Sequence, residues 1–285
     1  MNLLVDIGNS RIKWVFLQDL RSTRVMVGEF ASLENKFIGK NGSHFLKVLN
    51  NTFLKISSRS TAPIISDCQC IISSVACKDI ENIVAKVLRK FLCQTNIPTI
   101  KVEPEKKFSF KWGTAVLKTS RENPASLGKD RWAALIGFAS NIPLSKLKNE
   151  KVIIVSAGSV TVTDVVSIKK VDSGTVIFSH LGGFLTPGFG KMKDSLSGIN
   201  QKLVSTLKNF SSLPNDTEDS SSSGIALSQI SPLFHLKEIK KITLCGGYSE
   251  QYLESMNHFG ARKLIITIDE WLIMRGLYWY SQNYS

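Results

Sequence analysis

Two short stretches of the chain hold residue types that could act on a phosphorylated ligand. The first is Asp6-Ile7-Gly8-Asn9-Ser10-Arg11-Ile12-Lys13, at the end of an apolar run. A carboxylate there needs a partner, because stripping it of water is costly. Mg2+ is one such partner, held by Asp6 directly or through water. Gly8 lets the backbone approach a ligand closely, and the amides of a tight turn can face a phosphate. Lys13 shares a strand face with Arg11 and could meet that phosphate. Ile12, Trp14 and Phe16 share the other face. The plainer alternative is a β-hairpin in which Asp6 and Asn9 serve the turn. The second stretch is Leu127-Gly128-Lys129-Asp130-Arg131-Trp132, at a helix start. An aspartate in a first helical turn is stabilised as an anion. Asp130 could orient or deprotonate a substrate hydroxyl, and Arg131 could clamp a carboxylate. Helix capping with a surface ion pair is the alternative.

Several other chemistries have no support. There is no G-x-x-x-x-G-K-[ST] and no G-x-G-x-x-G. The cluster Gly182, Gly183, Gly188 and Gly190 lacks a Ser or Thr after Lys191 and reads as a structural turn. The five cysteines, Cys68, Cys70, Cys77, Cys93 and Cys245, are odd in number and form no C-x-x-C, which argues against a disulfide framework or a zinc site. Buried free thiols in a reducing cytoplasm are the expectation. His44, His180, His235 and His258 are isolated and show no ligand spacing.

The elements that must carry these residues show an internal echo. LLVDIGNSRIKWVF (3–16) and IIVSAGSVTVTDVV (153–166) align at an offset of 150, with Gly8 on Gly158, Asn9 on Ser159 and Ile12 on Val162. Each reads as an apolar strand, a glycine bend and an alternating strand. Two such hairpins opening two halves suggest duplication and two similar domains flanking a cleft. A further strand closes each half, at 70–75 and 242–247. Amphipathic helices are predicted over 79–91 and 127–139, and an aromatic-rich helix over 270–280. Strands alternating with helices give an α/β class. Ser205–Ser223, with four consecutive serines, reads as a surface loop or helix entry with mobility. Residues 21–61 read as a mixed segment.

Composition sets the outer bounds. The chain has 285 residues, 43% hydrophobic and 21% charged, which is the balance of a soluble globular protein. No apolar run approaches the ~18 residues of a membrane span. The start lacks the basic region of a secretory signal. The net charge of +13 favours anionic partners, but Lys and Arg are dispersed. The groups Lys106–Lys107, Lys191–Lys193 and Lys237–Lys241 read as solvated surface. No helix-turn-helix or zinc finger argues for nucleic acid.

Taken together, DIGNSRIK (6–13), the NPxxLGxDRW pattern (123–132), GGFLTPG (182–188) and GG (246–247) resemble the type III pantothenate kinases, a family that includes the Bvg accessory factor proteins. The motifs keep the family's order and span nearly the whole chain. The resemblance implies an actin/sugar-kinase-like fold of two related halves, at residues 1–120 and 121–285, with ATP in the cleft between them. It implies Mg2+-dependent transfer of the ATP γ-phosphate to the primary hydroxyl of pantothenate, the first step of coenzyme A synthesis, by a cytoplasmic homodimer. Asp6–Lys13 and Ser159 would bind the ATP phosphates, Asp6 would hold Mg2+, and Asp130 would be the general base. Gly128, Lys129, Asp130 and Arg131 would line the pantothenate site. Four positions depart from the family. Ser156 stands where an Asp usually helps bind K+ or NH4+, Arg121 where a Tyr is usual, and Asn200 where a Thr lies in the substrate pocket. Ser159 stands for the Thr of the second hairpin motif and keeps its hydroxyl. The readings are an active kinase with altered cation dependence, a weakened kinase-fold regulator of gene expression, and a kinase for another small hydroxyl compound.

Overall fold

Strands and helices alternate along the chain, as the sequence pattern requires. The computed structural model describes residues 2–17, 28–57, 69–92, 99–111, 115–142, 148–171, 174–200, 203, 207, 210–260 and 264–284. In chain order the elements are β1 (Asn2–Ile7), β2 (Arg11–Leu17), β3 (Gly28–Glu34), α1 (Ser43–Ser57), β4 (Gln69–Ser74), α2 (Lys78–Phe91), β5 (Thr99–Lys101), β6 (Lys107–Ser109), β7 (Ala115–Thr119) and α3 (Lys129–Asn141). They continue with β8 (Glu150–Ala157), β9 (Val160–Lys170), β10 (Val176–Pro187), α4 (Phe189–Ile199), α5 (Thr217–His235), β11 (Lys241–Cys245), α6 (Ser249–Phe259), β12 (Ile265–Ile268) and α7 (Leu272–Tyr284). Unit 1 comprises Met1–Leu117, Arg121–Lys146 and Trp271–Ser285, and unit 2 comprises Lys118–Ser120 and Leu147–Glu270. Cys68 and Cys93 lie outside the described residues, as do parts of 21–61 and of 205–223.

The echo extends to topology. β1, β2 and β3 form an antiparallel meander, and β4 and β5 add to β1 in parallel, giving the order β3-β2-β1-β4-β5. β8 to β12 repeat it as β10-β9-β8-β11-β12, and that sheet continues past β10 through β7 and β6. The register departs from the sequence alignment after the bend. β1 and β2 pair Asp6 with Lys13 and Ile7 with Ile12, whereas β8 and β9 pair Ser156 with Val162 and Ala157 with Thr161. The second bend is one residue tighter, so Ile12 corresponds to Thr161 and not to Val162. A slip of one residue exchanges the faces of a strand.

In unit 1, Leu3, Val5 and Ile7 of β1 and Ile12, Trp14 and Phe16 of β2 pack with Phe45 and Leu49 of α1 and Val84, Val87 and Leu88 of α2. Alternation turns Leu4 and Asp6 to the opposite face. There α7 touches β1 and β4, and α3 touches β4. α3 and α7 meet backbone to backbone. A Cβ on Gly276 would overlap the Ala133 carbonyl oxygen, and one on Gly137 would overlap that of Leu272. A mid-helix glycine costs about 1 kcal/mol relative to alanine, a cost this close crossing makes obligatory. The crossing holds α3, and so Asp130, against the sheet.

In unit 2, Ile153, Val155 and Ala157 of β8 and Ile242 and Leu244 of β11 pack with residues of α4, α5 and α6, including Phe189, Ile225, Ile230 and Tyr252. His180 is fully buried. Its Nε2 lies 2.9 Å from Asp164 Oδ1 and its Nδ1 lies 3.1 Å from Thr119 Oγ1. The isolated histidine of the sequence is thus the centre of a buried polar chain.

One local expectation is narrowed, the serine run taking its helix-entry alternative, and two change. The serine run lies inside α5, because Asp216 caps the helix through the Asp219 N–H and Glu218 and Asp219 suit its positive end. Ser220 and Ser221 then satisfy their hydroxyls on the carbonyls of Asp216 and Thr217, one turn back. The glycine cluster at 182–190 is the end of a bulged strand leading directly into α4, not a turn. Cys70 and Cys245 are buried free thiols, but Cys77 is exposed just before α2. Among the described residues no helix is long and apolar enough to cross a membrane.

Candidate active site

β1 delivers Asp6 to the end of a buried strand. The side chain is 6% exposed, and its Oδ1 is buried without a hydrogen-bond partner. Loss of water raises its pKa to about 6. Lys13, its partner across the hairpin, pulls the other way, and the negative charge of Asp130 pushes it further up. Ser73, opposite Asp6 on β4, favours the charge a little without reaching hydrogen-bond geometry. Asp6 and Asp130, far apart in the sequence, therefore act on one another within unit 1. Two carboxylates so placed, one with an orphaned oxygen, fit a site that receives additional positive charge.

The bend after Asp6 is tied down. The Gly8 N–H donates to the Arg11 carbonyl at 3.0 Å. Asn35, just past β3, donates from Nδ2 to the carbonyls of Gly8 and Asn9, each at 2.9 Å, and from its backbone N–H to that of Ser10 at 2.9 Å. Arg11 is exposed and paired with Glu34 at 3.1 Å, and it also reaches Ser32. Lys13 is half-buried beside Asp6.

α3 begins at Lys129, two residues later than its apolar pattern suggests. A 3-10 turn over Pro124–Ser126, capped by Asn123, takes up the preceding residues. Asp130 lies in the first turn, and its Oδ1 accepts the Arg131 N–H at 2.8 Å. Gly128 makes room for this carboxylate, since a Cβ there would sit 2.6 Å from Asp130 Oδ1. Arg131 is 6% exposed, an unusual burial for a guanidinium. Lys129 forms an ion pair with Glu103 at 2.5 Å. It also helps hold Glu81 below the usual carboxylate range, although the larger cause there is the hydrogen bond from Lys101. Lys129 is therefore engaged with the acids beside it. Arg121 Nη1 donates to Ser126 Oγ at 3.2 Å, and its carbonyl accepts Lys106 Nζ at 2.7 Å.

Asp6–Lys13, Arg121 and Gly128–Arg131 all belong to unit 1, while Ser156, Ser159 and Asn200 belong to unit 2. In unit 2, Ser156 Oγ lies 3.2 Å from Cys245 Sγ, so this position offers a hydroxyl and a thiol but no carboxylate. The Ser159 carbonyl accepts the N–H of Gly188 at 2.9 Å, joining the second bend to the start of α4. Asn200 is exposed at the end of α4. Sequence reasoning missed Asn35, Glu81 and Glu103. Asn35 carries a usable signal: recognising β3 at 28–34 as the antiparallel partner of β2 would have set the residue after Glu34 opposite the bend.

A sequence model described as type III pantothenate kinase matches residues 2–235. The chain belongs to that family. A type III pantothenate kinase of Dichelobacter nodosus is 29% identical over 225 residues, covering 79% of this chain and 74% of its own. One of Nitrosospira multiformis is 27% identical over 268 residues, covering 90% and 83%. Among solved structures, a Baf family protein of Campylobacter jejuni, described as a transcriptional activator, superimposes with a TM-score of 0.52 at 20% identity over 99% of this chain and 98% of its own. A Sinorhizobium meliloti protein described as a 2-dehydro-3-deoxygalactonokinase gives 0.55 at 11% identity over 100% and 99%. At such identities these likenesses establish the fold alone, the actin/sugar-kinase type of α/β protein with two sheets.

Proposed function

We propose that the chain transfers the γ-phosphate of ATP to the primary hydroxyl of pantothenate. The observation that carries this reading is the orphaned, buried Oδ1 of Asp6 within electrostatic reach of Asp130, at the mouth of a glycine bend. Asp6 would hold Mg2+, directly or through water, and the residues present suit that role. The bound ion would offset the charge of the phosphates and of the two acids. The bend amides and Lys13 would position phosphate oxygens, with Ser159 serving the second phosphate-binding bend. Phosphoryl transfer passes through a loose transition state, so orientation and charge do most of the work. Asp130 would mainly aim the hydroxyl and take its proton late. Arg131, a buried guanidinium next to Asp130 in the first turn of α3, would clamp the pantothenate carboxylate.

Ser156 and Cys245 supply no anionic ligand for a monovalent cation, so K+ is proposed to activate this chain less than relatives with Asp at that position. A cytoplasmic homodimer is part of the proposal. The exposed apolar side chains Leu181, Phe184 and Leu185 of β10 are available to a second copy. The test is a coupled ADP-release assay on pure protein with pantothenate, ATP and Mg2+, with and without K+ or NH4+. Pantothenate-dependent ADP release that K+ changes little supports the reading. No release in any salt ends it, and strong K+ activation removes the argument from Ser156.

A further inference from the structure

We propose that Asn35 positions the nucleotide-binding bend by gathering its carbonyls on one side; this rests on the kinase reading above. Three consecutive peptide units, those following Gly8, Asn9 and Ser10, all direct their C=O groups at Asn35. In a trans peptide the N–H points opposite to the C=O. Holding the Gly8, Asn9 and Ser10 carbonyls therefore turns the N–H groups of Asn9, Ser10 and Arg11 away from Asn35. Among the described residues, neither the Asn9 nor the Ser10 N–H meets a protein acceptor. A set of successive amides facing outward from a bend is an anion cradle. Without Asn35 the peptides could rotate, and phosphate binding would have to supply the order that the side chain now builds in.

The assignment is specific in its chemistry. Both side-chain bonds are donated by Nδ2, so an acceptor of the same shape cannot replace it. Asn35→Asp keeps the size and backbone hydrogen bond but loses both donors and sets a carboxylate against two carbonyls. Asn35→Ala loses the donors without adding charge.

The experiment measures kcat, KM for MgATP and KM for pantothenate in the wild type, Asn35→Ala and Asn35→Asp, with MgADP affinity by calorimetry and melting temperature alongside. The expected result is about a tenfold rise in KM for MgATP and a parallel loss of MgADP affinity in both variants, the scale of one or two net hydrogen bonds. KM for pantothenate is expected to stay within about twofold, since the hydrogen bonds of Asn35 go to the bend at Gly8, Asn9 and Ser10 and not to the Gly128–Arg131 segment. An unchanged KM for MgATP, or equal rises for both substrates with a lower melting temperature, overturns the assignment and leaves Asn35 a structural clamp. In that case an active wild type keeps the kinase reading intact. A wild type that neither binds MgADP nor phosphorylates pantothenate brings down both.

Discussion

Replacing Asp6 with asparagine should make the ligand-free protein more stable at neutral pH while abolishing its activity. Burial raises the Asp6 pKa from 3.8 to about 6. The folded state therefore holds its proton more tightly than the unfolded state. As pH rises from about 4 to about 6, the unfolded chain releases that proton first, and folding stability falls across the window and then levels off. Two pK units correspond to a ceiling of about 3 kcal/mol. An asparagine side chain cannot ionise, so Asp6→Asn lacks this slope. The stability gap between variant and wild type should be near zero below pH 4, grow between pH 4 and 6, and plateau at no more than about 3 kcal/mol. Urea unfolding at one-unit pH steps, without divalent ions, measures the gap, and groups unconnected with Asp6 cancel in the difference. Saturating MgATP should narrow the plateau by stabilising the wild type selectively. A gap that stays flat from pH 4 to 8, or a wild type that gains on the variant as pH rises, would refute the argument that an uncompensated buried acid lies at the end of β1. A variant that is more stable but inactive is the exchange expected where a buried charge is kept for function.

Two further substitutions probe the framework. Gly128→Ala places a Cβ 2.6 Å from Asp130 Oδ1; it should displace that carboxylate and lower kcat by about tenfold or more while nucleotide affinity stays within about twofold, as steady-state kinetics and MgADP calorimetry can check. His180→Ala removes a buried hydrogen-bond partner of Asp164 and of Thr119 and should cost about 1–3 kcal/mol in chemical unfolding, with KM for MgATP unmoved.

The parts of the fold set by local pattern were legible. Alternation in Arg11–Leu17 and the apolar run before Asp6 specified the first hairpin and its inward face. The matching run at 153–157 specified the second. The register of the second hairpin was not legible, because a bend of three or four residues around glycine leaves the same apolar pattern on either side. The serine run in α5 was legible only as a loop or a helix entry, and the second is what forms. Its propensity is poor, and Asp216, the buried Ser222 and Ser223 and packing against α4 and α6 override it. In the site, Asp6 and Asp130 could each be singled out from type and setting. That they influence each other depends on the β1–β4 pairing and the α3–α7 crossing, which bring distant segments together. Glu81 and Glu103 act through long-range contacts that no local spacing encodes, whereas Asn35 becomes visible once β3 is set antiparallel to β2.

The central claim is that Asp130 aims a pantothenate hydroxyl at ATP. The most direct measurement follows radiolabelled γ-phosphate from ATP into pantothenate, comparing wild type with Asp130→Asn. The account predicts label in phosphopantothenate with the wild type and a rate at least about a hundredfold lower in the variant, with MgADP affinity retained. A wild type that transfers no label to pantothenate, or an Asp130→Asn protein that transfers it at the wild-type rate, would contradict it.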